Sequence, residues 1–161
     1  MGFLDWLGLT AAGEPLAVGA AAPEITSRDE EGREVRLADL YRDGITLVYF
    51  YPKADTPGCT AQACSLRDGF VELQTRGVRV VGVSSDKPGA QLRFKQKYQL
   101  PFMLLADYDR VVAGAFGVRL ILGMTHRQCF LIKDGRIVWR DLHASTREQA
   151  RDVLKILESL G

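Results

Sequence analysis

The sequence predicts an α/β fold with a mixed central sheet flanked by helices. Three observations carry that expectation. Two apolar runs, ITLVYFY at 45–51 and VRVVGVS at 78–84, lie on either side of a segment with helical spacing. Strand, helix and strand in that order make a right-handed parallel crossover. Runs that are apolar throughout, rather than alternating, belong to strands covered on both faces. Near the C-terminus, Asp134-Gly135 separates residues 128–133 from 136–140, a strong two-residue hairpin signal. Parallel strands followed by a hairpin and a closing helix give a mixed sheet.

Taken in order, residues 1–22 read as an N-terminal extension and residues 23–161 as one domain. Within the extension, Phe3, Leu4, Trp6, Leu7 and Leu9 suit one or two amphipathic turns, and an Ala/Gly-rich stretch leads to Pro23. The Glu31-Gly32 turn precedes a short strand at 34–37, and 38–41 reads as a helical turn. After the apolar strand at 45–51, a helix spans 59–74. The strand at 78–84 leads to a second helix at 88–98, with Asp86 near its cap. A strand at 102–106, a short helix at 109–116, the hairpin and a helix at 146–160 complete the chain. In the last helix Ala150, Val153, Leu154, Ile156 and Leu157 form the apolar face.

Composition narrows the function classes. The chain has 161 residues, 47% apolar and 25% charged, with a net charge of +1. Its Lys and Arg are scattered, so neither nucleic acid nor an anionic membrane is expected as a partner. No apolar run nears the roughly 18 residues of a membrane span, and residues 1–9 lack the pattern of a signal peptide. A cytoplasmic location is the expectation. Three cysteines are too few, and odd in number, for a disulfide scaffold. Clustered in a reducing compartment, they point to redox or metal chemistry, or else to buried small hydrophobes.

The local setting of Cys59 favours redox chemistry. Cys59, Ala63, Leu66, Phe70 and Leu73 recur at helical spacing, so Cys59 sits in the first turn of a helix on its core-facing stripe. Thr56-Pro57 reads as an N-cap followed by proline at the first helical position, which makes Cys59 the third. A helix start favours negative charge, and the thiolate is the nucleophilic form of cysteine. The magnitude is insufficient alone: about 1 kcal/mol moves a thiol by less than one pKa unit. A nearby cation adds about one to three units, so an Arg or Lys must come from elsewhere in the chain. The Thr56 hydroxyl is placed to cap the helix or to hydrogen-bond the thiolate or an incoming oxygen. Pro52 removes an amide donor and stiffens the loop.

Pro52-x-x-x-Thr56-x-x-Cys59 resembles the active-site signature of the peroxiredoxins. The longer run YPKADTPGCTAQACSLRD at 51–68 is similar to the branch called bacterioferritin comigratory protein, or peroxiredoxin Q. VGVSSDKP at 81–88, FGV at 116–118 and HRQCFLI at 126–132 extend the match over roughly residues 15–160. The resemblance implies a thioredoxin-like fold, hydroperoxide reduction without a cofactor or metal, recycling by a thioredoxin-type dithiol, and a monomer. It assigns the peroxidatic cysteine to Cys59, the resolving cysteine to Cys64, the signature threonine and proline to Thr56 and Pro52, and the active-site arginine to Arg127. That arginine supplies the missing cation. The family often has Ser or Thr where this chain has Cys129, which reads as a buried small hydrophobe near the site rather than a backup thiol.

The spacing of the two assigned cysteines adds a geometric expectation. Five residues along an α-helix place Cα atoms about 8.6 Å apart, whereas a disulfide needs less than about 7 Å. Cys59 and Cys64 therefore cannot bond while the helix is intact, and its first turns must unwind on oxidation. Two rival readings exist on a similar fold. A metal-binding or copper-chaperone module is disfavoured because Cys-x4-Cys lacks the usual zinc spacing. A disulfide reductase is disfavoured because it calls for Cys-x-x-Cys. His126 and Asp55 read as structural neighbours of the site, and His143 as solvent-facing.

Overall fold

The computed structural model of the chain describes residues 14–160. The apolar stretch between Phe3 and Leu9 lies outside them. A hairpin of β1 (Thr26–Arg28) and β2 (Glu34–Arg36) leads through α1 (Leu37–Leu40) to β3 (Ile45–Phe50). Then come α2 (Pro57–Asp68), α3 (Phe70–Thr75), β4 (Val78–Ser84), α4 (Pro88–Tyr98), β5 (Met103–Ala106) and α5 (Val111–Phe116). A small hairpin, β6 (Leu120–Ile121) and β7 (Met124–Thr125), precedes β8 (Gln128–Lys133), β9 (Arg136–Asp141) and α6 (Gln149–Leu160).

The central sheet has the order β5-β4-β3-β8-β9. β3, β4 and β5 are parallel, while β8 runs antiparallel to both β3 and β9. The expected mixed sheet flanked by helices is therefore present. β3 shows why its sequence is apolar at every position but Thr46, whose hydroxyl donates to the Leu40 carbonyl at 2.6 Å. Leu47 and Tyr49 point into one core, shared with Cys59, Ala63 and Leu66 of α2 and Val153 of α6. Val48 and Phe50 point into a second core with Leu37, Phe116 and Phe130. Successive side chains alternate faces, and both faces are buried. At the β8–β9 turn, Asp134 and Gly135 have φ of 52° and 73°, as the favoured two-residue hairpin turn requires.

Residues 14–22 run beside α5 and β9. Leu16 N–H donates to the Phe116 carbonyl (3.0 Å), Gly19 N–H to Ile137 (2.7 Å) and Ala22 N–H to Gly135 (2.8 Å). The Arg140 guanidinium binds the Pro15 and Leu16 carbonyls, both at 2.9 Å.

Four details differ from the sequence expectation. The helix expected over 59–74 is two helices divided at Gly69, where a Cβ would lie 2.8 Å from the Ala150 Cβ. The glycine lets α6 approach the junction. β1 and the β6–β7 hairpin are too short for a periodic signal. The helix expected from 109 starts at Val111, after a left-handed residue at Arg110 (φ 62°). The closing helix starts at Gln149 rather than at 146.

The start of α5 is held by Asp107, whose carboxylate accepts from the Val112 and Ala113 N–H groups, each at 2.9 Å. Burial, opposed by those two bonds and reinforced by nearby Asp109, pushes this carboxyl up to about 6. A folded value above the ordinary one means that the group's stabilising contribution is complete below about pH 4. That contribution is lost as pH rises through about 6. The shift amounts to something on the order of 2–3 kcal/mol. Asp107→Asn should therefore flatten the fall in stability between about pH 4 and 6. Urea denaturation of wild type and variant at a series of pH values checks this; parallel curves would remove Asp107 as the source.

Candidate active site

The site is built where β3 ends and α2 begins. Tyr51 N–H donates to the Val83 carbonyl (3.0 Å) and the Tyr51 carbonyl accepts from the Thr125 hydroxyl (2.7 Å), so the strand end is fixed before Pro52. The loop that follows is pinned by two carboxylates. Asp86 accepts from the Ala54 N–H (2.8 Å) and the Ser84 hydroxyl (2.7 Å); it does not cap α4, whose N-cap is Lys87. Asp55, in the left-handed region at φ 60°, accepts from Lys97 Nζ (3.0 Å) and the Tyr98 hydroxyl (2.8 Å). Those two donors hold the Asp55 carboxyl below the usual carboxylate range.

Thr56 is the N-cap of α2, with extended backbone (φ −98°, ψ 157°), and Pro57 takes the first helical position. Cys59 is thus the third helical residue. The cap is made by the backbone: the Thr56 carbonyl accepts from Thr60 N–H at 2.8 Å. The Thr56 hydroxyl makes no side-chain cap and donates to the Lys53 carbonyl at 2.7 Å. With its proton committed there, the oxygen is left to accept. Pro52 is half-buried.

Cys59 is 1% exposed. Arg127, immediately before β8, reaches it: Nη2 lies 3.4 Å from the Cys59 Sγ, and Nη1 donates to Gln62 Oε1 at 2.6 Å. The structure thus brings a cation to Cys59 from the start of the neighbouring strand β8, and Gln62 holds that cation from one turn further along α2. Gln62 was not legible as a site residue. Its sequence signal is only that it lies three residues after Cys59, hence on a neighbouring face.

The remaining thiols occupy different settings. Cys64 is half-buried on the same intact helix as Cys59, and all three cysteines are unpaired. Cys129 is fully buried opposite Tyr49 in the sheet and shares a core with Cys59. Burial pushes its thiol well up, so it stays neutral. His126 gives its backbone N–H to Arg119, while His143 is exposed. Among the described residues, no three His, Cys, Asp or Glu side chains cluster to hold a metal ion, and no helix is long and apolar enough to cross a membrane.

The sequence pattern of the AhpC/TSA family matches residues 18–140. Over 131 residues the chain is 47% identical to Peroxiredoxin Bcp of Escherichia coli (strain K12), spanning 76% of this chain and 83% of the relative. The chain is a peroxiredoxin of the AhpC/TSA family. Its fold is similar to the crystal structure of peroxidoxin BcpB from Mycobacterium tuberculosis, with a TM-score of 0.84 and 31% identity over 91% of this chain and 99% of that one. It is also similar to the bacterioferritin comigratory protein of Xanthomonas campestris, whose alkyl peroxide reduction activity was studied in trapped intermediate and ligand complexes. There the TM-score is 0.80, with 25% identity over 92% of this chain and 98% of that one. The thioredoxin-like fold expected of a peroxiredoxin is present in this chain.

One glycine of this peroxiredoxin faces the Arg127 guanidinium. A Cβ at Gly58 would stand 3.0 Å from Arg127 Nη2 and 3.6 Å from a Thr146 methyl. Gly58→Ala should shift the guanidinium by a few tenths of an ångström and slow peroxide reduction about tenfold. Its melting temperature should hold or rise, since alanine is favoured over glycine within a helix by about 1 kcal/mol. Stopped-flow kinetics beside calorimetry separates the two effects; an unchanged rate would show that the guanidinium tolerates the methyl.

Proposed function

We propose that this chain reduces hydrogen peroxide and organic hydroperoxides, alkyl hydroperoxides included, with Cys59 as the peroxidatic residue. The observation that carries the reading is the Arg127 guanidinium 3.4 Å from a buried sulfur in the first turn of α2. The thiolate of Cys59 attacks one peroxide oxygen. The O–O bond breaks and an S–O bond forms; sulfur loses two electrons, and the leaving oxygen takes up a proton as water or alcohol. Arg127 faces the oxygen on which charge develops, together with the N–H groups at the start of α2. Such preorganised donors contribute most of the rate in sites of this kind. The Thr56 hydroxyl, its proton given to Lys53, accepts a hydrogen bond from the incoming hydroperoxide. Pro52 leaves that wall of the site without a competing amide donor.

Cys59 is then a sulfenic acid. Cys64 condenses with it, forming the S–S bond and releasing water, and an external dithiol of the thioredoxin type returns two electrons by exchange. Because both sulfurs lie on one helix, a single chain completes the cycle, in keeping with a monomer. The reading places the enzyme in a reducing compartment such as the cytoplasm. Peptide mapping by mass spectrometry after one equivalent of hydroperoxide tests the assignment. A Cys59–Cys64 linkage is expected; a linkage through Cys129, or between chains, would overturn the resolving role of Cys64.

A further inference from the structure

Two glutamines with no exposed surface connect α2 to α6 behind the site. Gln62 Nε2 donates to Gln149 Oε1 at 2.6 Å, between residues 87 apart in sequence. Gln149 Nε2 in turn donates to the Cys129 sulfur at 3.7 Å. With the Arg127 contacts, a continuous chain runs from Cys59 through Arg127, Gln62 and Gln149 to Cys129.

The direction of every bond in this chain is forced. A guanidinium only donates, so Gln62 must turn its carbonyl oxygen to Arg127 and its NH2 to α6. Gln149 must then present its own carbonyl oxygen to Gln62, or two NH2 groups would face one another. That turns the Gln149 NH2 towards Cys129, whose sulfur accepts. A burial of this kind is costly unless every polar group is satisfied. Leucine at 149 would fill the space without that cost, but it would leave Gln62 free to rotate its amide away from Arg127.

We propose that Gln149 is a positioning residue for peroxide reduction: it fixes the Gln62 amide and through it the Arg127 guanidinium, and the Cys129 sulfur fixes Gln149. The inference rests on Cys59 and Arg127 as the reacting pair. It gives Cys129 a role as a hydrogen-bond acceptor that requires no reactivity of its thiol. It also makes the first residue of α6 part of the machinery that holds the cation over α2.

The test is single-turnover peroxide reduction across a pH series in Gln149→Leu, Cys129→Ala, Cys129→Ser and Arg127→Lys, with melting temperatures measured in parallel. Gln149→Leu should slow the reaction about 10- to 100-fold and displace its pH profile towards higher pH, because the cation no longer sits over the sulfur. Cys129→Ala should move rate and profile in the same direction by about threefold or more, and Cys129→Ser, which keeps an acceptor, should restore both. If Gln149→Leu lowers only the melting temperature, with rate and profile at wild type while Arg127→Lys is slowed, the inference fails and the reading of the site stands. If Arg127→Lys also matches wild type, the reading of the reacting pair fails and takes the inference with it. Should Gln149→Leu not fold, the alanine and serine pair at 129 decides: equal rates for wild type and Cys129→Ala would overturn the proposal.

Discussion

Cys59→Ser is expected to reduce hydroperoxides no faster than the buffer does. The reason is one of ionisation. An ordinary thiol near 8.5 is a few per cent ionised at pH 7. A hydroxyl as weakly acidic as water is ionised only to the order of one part in 10⁹. Even with equal intrinsic nucleophilicity, the reactive fraction falls by about seven orders of magnitude. Arg127 cannot close a gap of that size, since a neighbouring cation contributes about one to three pKa units. Cys64→Ser should behave differently. It should consume one equivalent of peroxide per chain, add one oxygen to Cys59, and then stall with a thioredoxin-type donor. Cys129 does not rescue it, being buried and neutral. Stopped-flow consumption with quenched mass analysis reads both variants. Sustained turnover by Cys59→Ser would end the proposed chemistry, and wild-type turnover by Cys64→Ser would remove the resolving step.

A change in shape is the second large effect expected. Both assigned cysteines sit on the same unbroken helix, α2, where the spacing of their Cα atoms is about 8.6 Å, beyond disulfide reach. Forming the bond must undo the first turns of that helix. It pulls a fully buried sulfur out of the core and breaks the hydrogen bonds of Gln62 to Arg127 and Gln149. Amide exchange over residues 60–64 should therefore accelerate about 100-fold or more on oxidation, while β3, β4 and β8 keep their protection. Hydrogen exchange of the reduced and peroxide-treated protein measures this directly. An oxidised protein with the Cys59–Cys64 bond and unaltered protection in α2 would contradict it.

What could be read from the sequence divides along physical lines. β3, β4 and α4 were legible because long apolar runs and proline-started helical spacing are local signals. The division of α2 from α3 was not, because Gly69 is set by the approach of Ala150, a residue on a distant element. The β6–β7 hairpin escaped because two-residue strands carry no periodicity; the Gly123 carbonyl in its turn is held instead by Ser85 and Arg110 side chains. At the site, the position of Cys59 in its helix followed from Thr56-Pro57 alone. Arg127 came from the family resemblance, since nothing local to residue 127 marks it as facing Cys59. Thr56 illustrates the limit of local reasoning: a helix cap, the thiolate and an incoming oxygen all suited its hydroxyl, and the fold supplied another partner, the Lys53 carbonyl. Gln62 and Gln149 were invisible because their meaning lies in a pairing across 87 residues.

The C-terminal tip of α4 grips the chain on both sides of the two assigned cysteines. Lys97 and Tyr98 hold Asp55 ahead of α2, and the Tyr98 carbonyl accepts from Arg67 at 2.8 Å near the end of that helix. Eleven residues, 56–66, are suspended between these two moorings, so melting is confined to a short bridge with anchored ends. Such a bridge forfeits little order when it loosens and has only a short search to make when it rewinds. The reset after each catalytic cycle is in that sense already built into the resting protein.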